Sequence, residues 1–442
     1  MPDRDFELLR SRIAACETVV SVGRVCEVRH SLVRVTAPGK DWSIGDRVAI
    51  IRATGPLHGE IVLIDKDGAG ILSDQNPDGV RIGDGVERAH QSGLSPHVGW
   101  IGRIVDPFGQ PLDGRPLAPG LAACPLKAAP PAPASRKRLG QRLETGMRVF
   151  NTLLPLVRGQ RIGLFAGSGV GKSTLLGNFA RHVEADVIVI ALIGERGREL
   201  REFAEDVLGT AGLARSVIVA ATSDQSPLVR RRCAWSAMAV AEYFRDRGKH
   251  VLFLADSVTR LAEAHREIAL TAGEPPALGG YPASMAHLIM SLAERCGPGR
   301  EGAGDITAVF SVLVAASDME GPVADVLRGV LDGHVVMDRE IAERGRYPAI
   351  NLLRSVSRSL PAAATDHENR LIAQARHLLG AYDRAELMIQ AGLYAAGSDP
   401  LVDAAIKVWP VLDRFLSEDE PATASESFAR LETILGGAYR DA

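Results

Sequence analysis

The segment Ala166-Gly167-Ser168-Gly169-Val170-Gly171-Lys172-Ser173 decides the fold through its flanks. Before it stands an apolar run, Arg161-Ile162-Gly163-Leu164-Phe165-Ala166; after it, Thr174-Leu175-Leu176-Gly177-Asn178-Phe179-Ala180 has helical spacing. Strand, glycine-rich loop and helix in that order form the setting of a phosphate-binding P-loop. Glycines let the backbone turn its N–H groups inward around phosphates, and the helix N-terminus adds unpaired donors and the positive end of its dipole. Gly167, Ser168, Gly169, Val170, Gly171 and Thr174 are therefore expected to cradle a nucleoside triphosphate. Lys172 is expected to reach its terminal phosphates, and the Ser173 hydroxyl to ligate Mg²⁺. The motif's usual first glycine is Ala166 here; at a strand end, a methyl group is expected to fit.

Outward from the loop, apolar strand candidates alternate with helical stretches: Arg161 to Ala166, Val187 to Leu192, Val217 to Ala221, Val251 to Ala255 and Thr307 to Val314. That alternation predicts an α/β core with a mainly parallel sheet. Upstream, Val22 to Val25, Ser31 to Val35, Arg47 to Ile51 and Glu60 to Ile64 are short strands punctuated by Gly, Pro and Asp, the pattern of a small β-barrel. Residues Leu117 to Ser135, rich in Ala and Pro, read as an ordered connection without regular structure. After Pro361, helices are expected over Glu368 to Leu379, Ala381 to Ala391 and Pro400 to Leu416. The expected organisation is an amphipathic helix over 1–18, a barrel over 19–93, a nucleotide-binding domain over 94–363 and a helical domain over 364–442. The first helix, with Phe6, Leu9 and Ile13 on one face, suits docking to a partner or membrane surface as well as packing on its own domain.

Length and composition agree with a soluble multidomain protein: 442 residues, 46% hydrophobic and 24% charged. A net charge of −3 gives no global electrostatic pull on nucleic acid. The five cysteines form no C-x-x-C pair and the eleven histidines no ligand pattern, so neither a disulfide framework nor a zinc site is indicated, and a reducing cytoplasm fits. No apolar run is long enough to span a membrane, so any membrane association is expected to be peripheral.

Hydrolysis of a triphosphate needs an oriented water and stabilisation of charge on the γ-phosphoryl group. Glu195, at the end of the second core strand, is the expected water-activating carboxylate, since ligands of parallel sheets bind at that edge. Asp256 ends the apolar strand Val251-Leu252-Phe253-Leu254-Ala255 in the manner of a Walker B acid and is expected on the metal side. Arg196 and Arg260 follow these acids closely and are candidates to stabilise phosphate charge. Arg358 lies far along the chain, where it suits a neighbouring subunit's nucleotide. The run Arg230-Arg231-Arg232 opens a helix and is expected mainly as a solvated face.

Pro348-Ala349-Ile350-Asn351-Leu352-Leu353-Arg354-Ser355-Val356-Ser357 resembles the signature of rotary ATPase α/β subunits and their secretion relatives. The P-loop segment, Ala221-Thr222-Ser223-Asp224, Asp256-Ser257-Val258-Thr259-Arg260, Gly273-Glu274-Pro275-Pro276 and Leu331-Asp332-Gly333-His334 together resemble the type III export ATPases, especially the flagellum-specific branch. The resemblance runs from about Gly23 to Leu416. It implies an N-terminal β-barrel, a RecA-like ATP-binding domain and a C-terminal helical domain, hydrolysing Mg-ATP as a homohexameric ring at the membrane export apparatus. Implied partners are a coiled-coil stalk, stator-like regulatory export proteins, the export gate, and export substrates with their chaperones. By matched position, Glu195 takes the catalytic glutamate's place, Arg196 that of its neighbouring arginine, Arg358 that of an arginine acting in trans, and Tyr347 that of the residue packing on adenine. The loop Gly273 to Pro282 resembles the segment lining the ring's lumen. Two departures stand out: Ser317-Asp318 where two adjacent acids are frequent, and Asn151 where Asp is frequent.

An injectisome export ATPase shares every core motif, and the flagellar branch is preferred on general likeness alone. A rotary ATP synthase catalytic subunit would use the same chemistry with a different C-terminal region. A non-catalytic nucleotide-binding subunit would lack the acid that Glu195 supplies. A hexameric nucleic-acid motor would need a basic and aromatic barrel face that is not evident here.

Overall fold

The computed structural model describes residues 22–29, 32–36, 42–89, 93–314, 320–418 and 423–439. The expected helix over 1–18 and the Ser317-Asp318 departure lie outside these residues. The chain divides into two compact units, one holding the barrel and the other the large sheet and C-terminal helices.

The barrel is closed by β1 (Val22–Arg29), β2 (Leu32–Thr36), β3 (Arg47–Arg52), β4 (Gly55–Asp65), β5 (Gly68–Ser73) and β6 (Gly85–Arg88), in the order β1-β2-β5-β4-β3-β6. Every pairing is antiparallel. Residues alternate inward and outward, so Val25, Val33, Val35, Val48, Ile50, Ile61, Ile71 and Val86 fill the interior. Strands β5 and β6 were not expected. β5, Gly-Ala-Gly-Ile-Leu-Ser, is buried throughout and carries glycine in place of β-branched residues, while β6 is four residues long.

In the second unit the strands are β7 (Arg103–Val105), β8 (Arg161–Ala166), β9 (Val187–Glu195), β10 (Ser216–Thr222), β11 (His250–Asp256), β12 (Gly297–Pro298), β13 (Asp305–Leu313), β14 (Gly333–Met337) and β15 (Ile350–Ser357). They form a nine-stranded sheet in the order β15-β14-β8-β13-β11-β9-β10-β7, with β12 attached to β13. From β14 to β7 the pairings along this order are parallel, and β15 returns antiparallel on β14. Parallel strands covered on both faces read as continuous apolar runs, and β11 is buried at all seven positions. The P-loop strand β8 is separated from β11 by β13 alone. All three therefore end side by side, at the edge where α/β sheets bind ligands.

The C-terminal part contains α1 (Asp366–Gln390), α2 (Pro400–Ser417) and α3 (Ala424–Gly436). Two helices were expected where α1 runs unbroken through Gly380. Buried Leu378, Leu379, Ala381 and Ala385 hold both sides of that glycine against the core, outweighing its roughly 1 kcal/mol propensity cost. The start of α1 carries a capping box, Thr365 with Glu368. Tyr382 of α1 stacks on Trp409 of α2 with ring centroids 4.5 Å apart. Arg376 of α1 donates to the carbonyls of Leu352 and Ser355, each at 3.1 Å, fastening the helix to β15.

The arginine run also departs from expectation. Arg231 is 8% exposed, with its guanidinium 4.9 Å from the Trp235 ring centroid; Arg232 lies 4.6 Å over Phe108 and donates from Nε to the Pro107 carbonyl. Aromatic faces take up the charge while the aliphatic stems are buried, so much of this run is packing surface and not a solvated face.

Candidate functional site

β8 ends at Ala166, whose side chain is fully buried, and Val314 N–H donates to its carbonyl at 3.0 Å. The chain then turns through Gly169 and Gly171, both left-handed (φ 78° and 87°), and enters the helix Lys172–His182 without a side-chain cap. The uncapped start leaves its N–H donors for a ligand. A side chain at Gly171 would also meet the Tyr347 ring, 3.1 Å from where its Cβ would stand. Ser173 and Thr174 are exposed at the same turn, and Val170 anchors the loop in the core. These features fit a nucleotide's phosphates.

The fold brings Lys172, Asp256 and Glu195 together from three separated stretches of chain. The Lys172 ammonium is paired with Asp256 Oδ1, and lies 3.9 Å from Glu195 Oε1. Asp256, 3% exposed at the end of β11, also accepts a 2.7 Å hydrogen bond from Ser311 Oγ on β13. Ser311 was not singled out in the sequence. Its signal was a hydroxyl within the apolar half of β13, Ala308 to Leu313, which calls for a partner when buried. A partly buried lysine and two carboxylates are a donor set suited to Mg²⁺ and phosphate, with the Ser173 hydroxyl exposed beside them.

Burial and the neighbouring Asp256 charge push Glu195 up to about 7, against the pull of Lys172 in the other direction; Glu199 adds a smaller upward push. Glu195 is thus a carboxyl group poised to exchange a proton near neutrality. Its backbone carbonyl accepts from Ser223 N–H at 3.0 Å, fixing the strand end.

The arginines stand further out. Arg196 is exposed and paired with Glu199 at 3.1 Å. Arg260 packs against Gly194, where an added Cβ would meet its own Cβ at 3.3 Å, and is held by Glu263 at 3.0 Å. Arg358 does not join the cluster: it is exposed after β15, with Nη2 donating to the Arg328 carbonyl at 3.2 Å. Tyr347 is 49% exposed. Asn151, fully buried, accepts from the Thr145 N–H and hydroxyl at 3.0 and 2.8 Å and donates to Ser427 Oγ at 3.4 Å, a donation that a carboxylate could not make.

Comparison with known proteins places this chain in a family. Residues 146–357 match the model of the ATP synthase alpha/beta family nucleotide-binding domain, and residues 364–433 that of the T3SS EscN ATPase C-terminal domain. A relative from Caulobacter vibrioides named flagellum-specific ATP synthase is 44% identical over 98% of this chain and 100% of its own length. One of the same name from Salmonella typhimurium is 47% identical over 80% of this chain and 77% of its own. The assembled ATPase EscN from the enteropathogenic E. coli type III secretion system superposes with a TM-score of 0.87 at 36% identity, covering 93% of this chain and 100% of that one. EscN in complex with its central stalk EscO gives 0.84 at the same identity and coverages. This chain belongs to the flagellum-specific ATP synthases, the flagellar branch of the type III export ATPases and kin of the rotary ATPase α/β subunits.

Proposed function

We propose that this ATPase hydrolyses Mg-ATP at the Lys172–Glu195–Asp256 cluster, working as a homohexameric ring that couples turnover to protein export for flagellum assembly. The observation that carries the site assignment is the convergence of these three side chains at the mouth of an uncapped helix, with Glu195 held at about 7. On nucleotide binding, Lys172 exchanges Asp256 for the terminal phosphates, and the loop N–H groups turn to phosphate oxygens. Ser173 and Asp256 would hold Mg²⁺, which would neutralise charge on the phosphates. Ser311 keeps the Asp256 carboxylate aimed. Glu195 orients the attacking water and takes its proton. Tyr347 packs on the adenine. Arg196 and Arg260 lie nearby as cations for the developing charge, and exposed Arg358 is offered to the neighbouring subunit's nucleotide, which makes hydrolysis depend on assembly.

In this reading the loop ending at Pro282 lines the lumen. Its tip is held by a 2.7 Å bond from Ala277 N–H to the Tyr281 carbonyl and presents Leu278, 79% exposed. A coiled-coil stalk is the expected occupant, as with EscN and its central stalk EscO. Regulatory stator-like proteins, the export gate, and substrates with chaperones complete the set of partners. Among the described residues no helix is long and apolar enough to cross a membrane. The proposed location is peripheral, on the cytoplasmic side of the export apparatus.

The test is a pair of variants. Glu195→Gln is expected to bind ATP like the parent, by calorimetry, while releasing phosphate at least a hundredfold more slowly, the lower end of about 10²–10⁴ for a general base. Lys172→Ala is expected to lose binding. Parental turnover in Glu195→Gln would overturn the assignment.

A further inference from the structure

We propose that Arg346 is a positioning residue for nucleobase binding, setting the Tyr347 ring beside the P-loop and tying that placement to Asp413 of the C-terminal helix α2. The proposal rests on the reading that Tyr347 packs on the base.

Residues 346–350 are a buried stretch with one outward member. Arg346 is 9% exposed, and Ala349 and Ile350 are fully buried; between them Tyr347 stands half out, its ring against Gly171. Arg346 creates this arrangement by folding back along its own chain. Its Nη1 donates to the Pro348 carbonyl at 3.2 Å and its Nη2 to the Ile350 carbonyl at 2.8 Å, clamping the backbone just beyond the tyrosine. The third face of the guanidinium is turned to α2, where Nε lies 3.0 Å from Asp413 Oδ1 as an ion pair without hydrogen-bond alignment. Only a planar fork can serve two carbonyls and a carboxylate from one buried position; a lysine ammonium is a single point of charge. With the chain held on its inner side, the Tyr347 ring keeps an outward setting before any base arrives, and binding does not have to order it. The same guanidinium makes the ring's placement sensitive to where α2 lies.

Calorimetry on the full-length protein carrying Glu195→Gln to suppress turnover, with Mg²⁺ present and ATP and inorganic tripolyphosphate as probes, separates base recognition from phosphate recognition, and this background is the parent for the variants below. Tyr347→Ala tests the underlying reading. It is expected to weaken ATP between about fivefold and a hundredfold, the range for loss of one base–aromatic stack, and to leave tripolyphosphate unchanged. Arg346→Met is expected to show the same selective loss. Asp413→Asn, nearly isosteric, is expected to show a smaller loss that does not add to that of Arg346→Met. If Tyr347→Ala is selective while Arg346→Met and Asp413→Asn both bind ATP like the parent, the positioning role is overturned and the base-packing reading stands. Equal weakening of both probes in Arg346→Met marks a structural residue and also overturns the proposal. An unaffected ATP affinity in Tyr347→Ala removes the reading and the proposal together.

Discussion

The proton affinity of Glu195 makes a pH prediction that can be worked through. A general base acts as the carboxylate, and kcat/KM reports groups of the free enzyme. With Glu195 at about 7, roughly one molecule in eleven carries the carboxylate at pH 6 and ten in eleven at pH 8. The sign follows from the causes: burial and Asp256 favour the protonated acid, so activity is lost as pH falls through 7, not as it rises. Steady-state phosphate release at saturating magnesium should therefore show kcat/KM for ATP rising about tenfold from pH 6 to pH 8. In Glu195→Gln the residual rate should lack this limb. In Glu199→Gln, which removes a group that raises Glu195, the midpoint should move to lower pH. A flat profile in the parent, or an unchanged limb in Glu195→Gln, would refute the reasoning by assigning the ionisation to another group.

Three further outcomes are expected. Gly171→Ala should weaken ATP binding at least tenfold while shifting unfolding modestly, because a left-handed alanine costs about 1–2 kcal/mol and its methyl meets the Tyr347 ring; parental affinity would show that the loop tolerates the change. Arg358→Ala should form the same assembly as the parent by light scattering yet hydrolyse ATP poorly, and parental activity would end its role in trans. His250, buried and bonded to the Thr307 hydroxyl at 2.8 Å, is pushed down to about 4 chiefly by burial. The unfolded chain then holds the extra proton between pH 4 and 6.5, so this contribution is full above 6.5 and is lost as pH falls through 4. The difference amounts to about 3 kcal/mol and should appear as a steeper acid loss of denaturation midpoint in the parent than in His250→Gln.

What the sequence made legible was whatever leaves a local trace. The P-loop carries its strand and helix beside it, and β11 with Asp256 is a continuous apolar run ending in an acid. β14 and β15 escaped notice because each is defined by pairing: β14 joins β8 across a long separation, and β15 alternates buried with exposed positions inside a motif noticed for its resemblance to a family. β5 has Ile71 as its one β-branched residue and opens Gly-Ala-Gly, and Gly380 signalled a break that packing overrides. In the site, Lys172, Glu195 and Asp256 were visible by type and position. Ser311 and Arg346 were not, since a hydroxyl meeting a carboxylate on the next strand and a guanidinium folded onto its own chain have no spacing to betray them. The arginine run was misjudged for the same reason. Charge suggested water, whereas Phe108 and Trp235 supply aromatic faces from outside the run and from one helical turn along it.

The ion pair between Lys172 and Asp256 bears on the last stage of a turnover. A partly buried ammonium and a buried carboxylate abandoned by departing products would each face a desolvation penalty, and the products would be held back by it. Under the proposed function each group has the other as a ready substitute, so inorganic phosphate would leave a site that closes on itself electrically. The same exchange sets a standing competitor against weakly bound anions, and only a ligand with several phosphate contacts displaces it. In the proposed mechanism the lysine thereby discriminates at entry and assists at exit, with no moving part larger than its own side chain.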